Sequence, residues 1–270
     1  MSRRVLLVGY EDQDNLGIRY LSSRLLRDGH HTRIVAFGSD PGVLLATIRS
    51  ERPDVVGFSL IFQYMVPAFA DVIRALRAAG VAAHLTIGGH YASFEPEALL
   101  ERIPELDSVV RFEGEEALAE LVAKLDDPVA WRRIDGIAWL DRGKVVLNPP
   151  RTAAVPIDDY AEPDRRDIDY RHQALPTASV LASRGCPWQC SFCSIITFYE
   201  ANGTKGRRRR DPVRVVDEVE LLVRERGARL ILFQDDDFLA GGLAARTWAH
   251  RVADELLRRG LEREMRFKIA

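Results

Sequence analysis

Val5-Leu6-Leu7-Val8-Gly9 is a short, unbroken apolar run closed by a glycine. A run of this kind reads as a strand covered on both faces, the sort found inside parallel sheets. The amphipathic stretch Ile18 to Asp28 follows it, and Thr32 to Phe37 is a second run of the same type. Working outward, the alternation continues through strands Asp54 to Leu60, Ala83 to Gly88 and Ser108 to Phe112. Helical patterns Gly42 to Ser50, Met65 to Ala79, Glu95 to Arg102 and Glu115 to Leu125 lie between and after them. Parallel neighbours need a crossover and a helix supplies it, so residues 1–126 are expected to form one α/β domain around a doubly wound parallel sheet.

Beyond it, Ile134 to Leu140, the charged turn Asp141-Arg142-Gly143-Lys144 and Val145 to Asn148 read as a hairpin. Residues 149–177 carry several prolines and little apolar periodicity, so 127–177 is expected to be a hairpin and linker. At Ala178 the alternation restarts with strand Ser179 to Ala182 and helix Pro212 to Arg226. Strand Arg229 to Phe233, helix Leu243 to Arg259 and strand Met265 to Ile269 complete it. A closed α/β barrel takes about 250 residues. Residues 178–270 therefore read as the N-terminal part of a barrel, and the natural protein is expected to continue for on the order of 100 residues or more.

The chain has 270 residues, 47% hydrophobic and 29% charged, with a formal net charge of -2. That is ordinary globular composition without a global pull toward nucleic acid or anionic membrane. No apolar run spans a bilayer, and the opening MSRRVLLVGYEDQD runs into charge as a signal peptide does not, so a cytoplasmic protein is expected, with no membrane partner.

The three cysteines all fall in one window, Cys186-Pro187-Trp188-Gln189-Cys190-Ser191-Phe192-Cys193. An odd, clustered set is no disulfide framework, and thiolates suit zinc or an iron-sulfur cluster. A closed zinc site wants four ligands, and the nearest histidine, His172, lies beyond a proline in the linker. A cubane cluster on three cysteines keeps one iron without a protein ligand, which is the open position that catalysis at a metal needs.

The spacing of Cys186, Cys190 and Cys193, with Phe192 before the third, resembles the signature of the radical S-adenosylmethionine enzymes. The flanking Ser183-Arg184-Gly185 and Ser194-Ile195 fit it as well. The resemblance implies a 4Fe-4S cluster on the three cysteines and S-adenosylmethionine on the open iron. It also implies an electron donor such as flavodoxin or ferredoxin, and places Phe192 near the adenine; a packed aromatic is the alternative for that side chain. Phe233-Gln234-Asp235-Asp236-Asp237-Phe238 resembles a turn of family members that also carry a cobalamin domain. Carboxylates at a strand's C-terminal end lie at a barrel mouth, so Asp235 and Asp236 are expected to meet the cosubstrate, a helix N-cap being the alternative. The run Arg207 to Arg210 reads as a solvated face, neutralisation of a carboxylate or phosphate being the alternative.

In the first domain the loops after the strands are where a ligand is expected. They hold Asp12, Asp14 and Gly17, then Ser59 and Leu60, then Gly88, Gly89 and His90. This set resembles the cobalamin-binding domain of methyltransferases and mutases. It implies that these residues, His90 apart, hold cobalamin, the glycines allowing close backbone approach and Ser59 bonding the nucleotide tail. Asp14 stands where that family has its cobalt-ligating histidine, and the implied cobalamin therefore has no histidine on its lower face. His90, just past the glycines, is a candidate contact, a merely exposed loop histidine being the favoured reading. The alternative for the domain is a response-regulator-like or nucleotide-binding sheet.

Together the two resemblances imply a cobalamin-dependent radical S-adenosylmethionine enzyme. A methyltransferase acting on an unactivated carbon of a small-molecule or peptide intermediate is the expectation. Ring closure, contraction or rearrangement without methyl transfer is the alternative, and a cobalamin sensor a third reading that leaves the cysteine loop unexplained. No RNA-binding module is visible, so a nucleic-acid substrate is not expected.

Overall fold

The computed structural model describes residues 1–11, 14–152, 155–160, 162–166, 170–204 and 206–269. The chain divides into two compact units, the first holding 1–11 and 17–153, the second 12–16 and 154–270.

The first unit is built on strands β1 (Arg4–Gly9), β2 (His31–Ala36), β3 (Val55–Ser59), β4 (His84–Gly88), β5 (Ser108–Val110), β6 (Ile137–Asp141) and β7 (Lys144–Leu147). Their order in the sheet is β2-β1-β3-β4-β5-β6-β7, with β1 to β5 parallel. Helices α1 (Leu16–Arg27), α2 (Pro41–Glu51), α3 (Val66–Ala78), α4 (His90–Phe94), α5 (Pro96–Arg102), α6 (Glu115–Ala123) and α7 (Pro128–Trp131) connect or flank the strands.

Successive strand side chains point to opposite faces, and β1 shows it. Leu6 and Val8 enter one core with Ile48, Phe69, Ile73 and Leu76. Val5 and Leu7 enter the other with Leu118, Leu121 and Trp131. Both faces being covered explains why the run is apolar without alternation. Truncating one of these fully buried leucines to Ala costs about 2–5 kcal/mol.

The hairpin assigned above to a region between domains belongs to this sheet. β6 pairs antiparallel with β5, and β7 with β6, so β5 gains a partner where it would otherwise leave an open edge. Its two-residue turn, Arg142-Gly143, has φ 50 and 82°, the left-handed pair that matches strand twist. Asn148 Nδ2 donates to the carbonyls of Arg132 and Ile134, both at 2.8 Å, which fixes the hairpin's return.

In the second unit, β8 (Arg171–His172), β9 (Leu175–Val180), β12 (Leu230–Phe233) and β13 (Arg266–Lys268) form a sheet in the order β13-β12-β9-β8. β9, β12 and β13 are parallel. The expected linker therefore supplies strand β8, antiparallel to β9. Strands β10 (Ser183–Arg184) and β11 (Arg208–Arg209) pair beyond the end of β9, and helix α8 (Ile195–Glu200) lies between them in the chain. Helix α9 (Pro212–Glu220) ends in a π-helical turn, Leu221–Glu225, and α10 (Gly242–Arg258) precedes β13. Val180, Val215, Val219, Ile231, Phe233 and Trp248 belong to its core.

Three helices begin with the same dipeptide, Asp40-Pro41, Asp127-Pro128 and Asp211-Pro212. Each aspartate accepts a backbone N–H of the first turn and each proline occupies a position whose N–H has no helical acceptor. Among the described residues no helix is long and apolar enough to cross a membrane.

Candidate functional site

The cysteine loop is set by what precedes it. Ser183 and Arg184 pair with Arg209 and Arg208. Gly185 then takes φ 87°, and a side chain there would press into the carbonyl of Gly206, so only glycine lets the two segments close. Cys186 is half-buried, Cys190 and Cys193 are exposed, and the Cys193 N–H donates to the Cys190 carbonyl at 3.0 Å. Burial pushes the Cys186 thiol up, and the carboxylates of Asp236 and Asp237 push the same way. Phe192 is 91% exposed, so its ring is not a packing residue of this unit. Among the described residues no three His, Cys, Asp or Glu side chains converge as the ligands of one ion would.

The aspartates after β12 divide their work. Asp235 was expected at the cosubstrate, yet its side chain is fully buried. Oδ2 accepts the Ala182 N–H at 3.2 Å, Oδ1 accepts the Ser183 hydroxyl, and Arg207 stands 3.5 Å away. Burial pushes its carboxyl above the ordinary range against those three partners. Asp235 thus holds the strand leading into the loop, because a carboxylate taken out of water must be hydrogen-bonded. Asp236 Oδ2 accepts the Gly185 N–H at 3.0 Å while its side chain remains at the surface. Asp237 caps the turn at Leu239 and Ala240; α10 has Gly241 at its N-cap instead, so no aspartate caps that helix.

The arginine run is no solvated face. Arg207 donates to Ser183 Oγ (2.7 Å), Ala240 O (3.0 Å) and Phe238 O (2.9 Å), its guanidinium 5.5 Å above Trp248. Arg210 is buried against Glu218 and the Leu181 carbonyl. The sequence offered one signal: an aspartate buried at a strand end needs a cation, and for Asp235 this run supplies Arg207.

In the first unit, Ser59 and Gly88 are register neighbours at the carboxyl ends of β3 and β4. The Leu60 N–H donates to Gly88 O at 2.8 Å. Gly89 has φ 103°, and a Cβ there would lie 2.6 Å from Leu60 O. The two loops therefore touch through backbone. The Leu60 side chain is fully buried, so this residue presents its main chain at the loop. Gly17 is exposed near the start of α1, and Asp12 lies outside the described residues.

Asp14 also differs from expectation. It belongs to the second unit, where its buried Oδ2 accepts Arg165 Nη1 at 2.8 Å and the Ser179 N–H at 3.0 Å. Arg165 in turn reaches Glu218 and the Ser179 carbonyl.

His90 is half-buried and edge-on to Phe94 at 5.2 Å rather than merely exposed, and burial pulls its pKa down. Sequence reasoning also missed the aromatics after β1 and β3. Tyr10 meets Phe62 edge-on at 6.5 Å, and Phe62 stacks on Tyr64, which is 75% exposed. Their signal was position alone, just beyond the carboxyl ends of two strands.

Residues 3–122 match the model of the B12 binding domain. An uncharacterized methyltransferase of Pyrococcus horikoshii is 31% identical over 83% of this chain and 49% of that protein. The anaerobic magnesium-protoporphyrin IX monomethyl ester cyclase of Cereibacter sphaeroides is 33% identical over 72% of this chain and 32% of that one. In fold, the chain is similar to the cobalamin-dependent S-adenosylmethionine radical enzyme OxsB, with a TM-score of 0.79 at 21% identity, covering 98% of this chain and 38% of that one. The chain thus spans half or less of each of these proteins. On these matches residues 3–122 are similar to the B12 binding domain, and the chain as a whole has the fold of a cobalamin-dependent S-adenosylmethionine radical enzyme.

Proposed function

We propose that the chain binds a 4Fe-4S cluster, S-adenosylmethionine and cobalamin, and serves a methyltransferase acting on an unactivated carbon of a small-molecule or peptide intermediate. The observation that carries this is the cysteine loop: three unpaired thiols, two of them exposed, seated on a rigid strand end. The donor set fits a cluster, being all sulfur and one ligand short of closing it. The glycine-linked backbone turn at Ser59, Leu60 and Gly88-Gly89 fits a ligand laid across strand ends, with Gly17 and the Asp12 loop assigned by resemblance.

When bound, the cluster supplies the electron that cleaves S-adenosylmethionine and cobalamin carries the methyl group. Cys186, Cys190 and Cys193 hold the cluster. Phe192 offers a free ring face to the adenine, and Asp236, fixed by the Gly185 N–H, offers an oxygen to the amino group. Asp235 and Asp14 act indirectly, each holding backbone in place. A reduced cytoplasm with a flavodoxin or ferredoxin as electron donor suits these exposed thiols.

The test is anaerobic reconstitution with iron, sulfide and cobalamin, followed by S-adenosylmethionine labelled in its methyl group. About four iron and four sulfide per chain are expected, together with 5'-deoxyadenosine and S-adenosylhomocysteine. One zinc and no sulfide overturns the proposal. The similarity to a ring-closing cyclase favours a second reading, in which 5'-deoxyadenosine appears alone and no label leaves S-adenosylmethionine.

A further inference from the structure

We infer that Trp188 and Asp237 are a positioning pair that sets the segment between Cys186 and Cys190, an inference that rests on reading this loop as the seat of the cluster. Three consecutive aspartates hold three successive points of one chain segment. Asp235 takes Ala182 and Ser183, Asp236 takes Gly185, and Asp237 Oδ2 takes the Trp188 indole N–H at 3.0 Å. The first two points precede the cysteines; the third lies among them. Asp237 is fixed before it meets the indole, because its other oxygen accepts the N–H groups of Leu239 at 3.2 Å and Ala240 at 3.1 Å.

Trp188 is 53% exposed, and residues 187–194 are all at the surface. An indole this exposed gains little from burial, so its direction is set by the hydrogen bond rather than by packing. Thiols held in place beforehand lose less conformational entropy when they close on a ligand. The large ring beside Cys186 and Cys190 also governs how much water reaches their sulfurs, one of the levers on cluster potential.

Trp188→Phe removes the N–H and keeps a ring, Asp237→Ala removes the acceptor, and the double variant closes the cycle. In the chain without cluster, chymotryptic cleavage after Phe192 is expected to rise about fivefold in each single variant, as loss of one hydrogen bond implies. The double variant should be no faster than the faster single. Asp237→Ala also frees its own turn, so Trp188→Phe decides: a wild-type cleavage rate there overturns the inference, as does a double variant whose rise is the product of the singles. In the reconstituted protein the midpoint potential should shift in the same direction in both single variants, with iron content kept; an unshifted potential in Trp188→Phe overturns the positioning role. If the wild-type chain takes up no cluster, the proposed function fails while the cleavage cycle still decides whether the pair holds the loop.

Discussion

Arg165 and Asp14, 151 positions apart in the chain, meet at 2.8 Å as a buried ion pair. Around them Glu218 joins Arg165 to Arg210, so two acids and two bases alternate in one network. Such a network contributes little relative to an apolar equivalent, but removing one member leaves a buried charge without its partner. Asp14→Ala is therefore expected to destabilise the chain by about 3–5 kcal/mol. Urea unfolding of the chain without cofactors measures it. A change below about 1 kcal/mol would place the pair among ordinary surface bridges.

Gly89 and Gly80 make a controlled comparison. Both have positive φ, 103 and 80°, but an added Cβ at Gly80 meets nothing within 4 Å whereas at Gly89 it meets the Leu60 backbone. Gly80→Ala should cost about 1 kcal/mol of strain. Gly89→Ala should cost visibly more and lower cobalamin affinity by moving the Leu60 loop. Thermal unfolding without cobalamin separates the effects, since pure steric conflict with the ligand would leave that value at the Gly80→Ala level.

His84 makes stability depend on pH. Burial pulls its pKa below the ordinary value, with Arg77 adding and Asp107 opposing, and its Nε2 lies 2.9 Å from Ser108 Oγ. The unfolded chain then binds a proton that the folded chain refuses. The contribution of His84 is full above the unfolded value of about 6.5 and is lost as pH falls from there through the depressed folded value. His84→Gln should flatten that part of the stability curve. An unchanged difference between the two proteins from pH 7 to 5 would show that His84 does not titrate on unfolding.

Each of Cys186→Ala, Cys190→Ala and Cys193→Ala should lose bound iron and S-adenosylmethionine cleavage together. Fold is expected to survive at Cys190 and Cys193, which are exposed. Circular dichroism alongside iron analysis checks this, and full iron retention in any one of them would remove that thiol from the ligand set.

The parallel strands were legible because each is a short apolar run stopped by turn residues, and covered strands need no alternation. The place of the 137–147 hairpin was not, since a local pattern shows that two strands pair but not which open edge receives them. Helix α4 spans only five residues and lacks a periodic signal. The cysteines were legible from spacing. Asp235, Leu60 and Asp14 were recognised at loop positions, but whether a side chain faces ligand or core depends on partners far along the chain, such as Arg165 and Arg207.

The π-helical turn Leu221–Glu225 lengthens its helix by one residue beyond regular winding, with the Arg226 N–H reaching back five positions to the Leu221 carbonyl. Arg226 is thereby aimed at the Arg165 carbonyl, 3.0 Å from its Nη1. In terms of helical register the turn accommodates one residue more than regular winding would. Reversing it by deletion would rewind the helix and swing Arg226 by about 100°, leaving Arg165 to its side-chain contacts with Asp14, Glu218 and the Ser179 carbonyl.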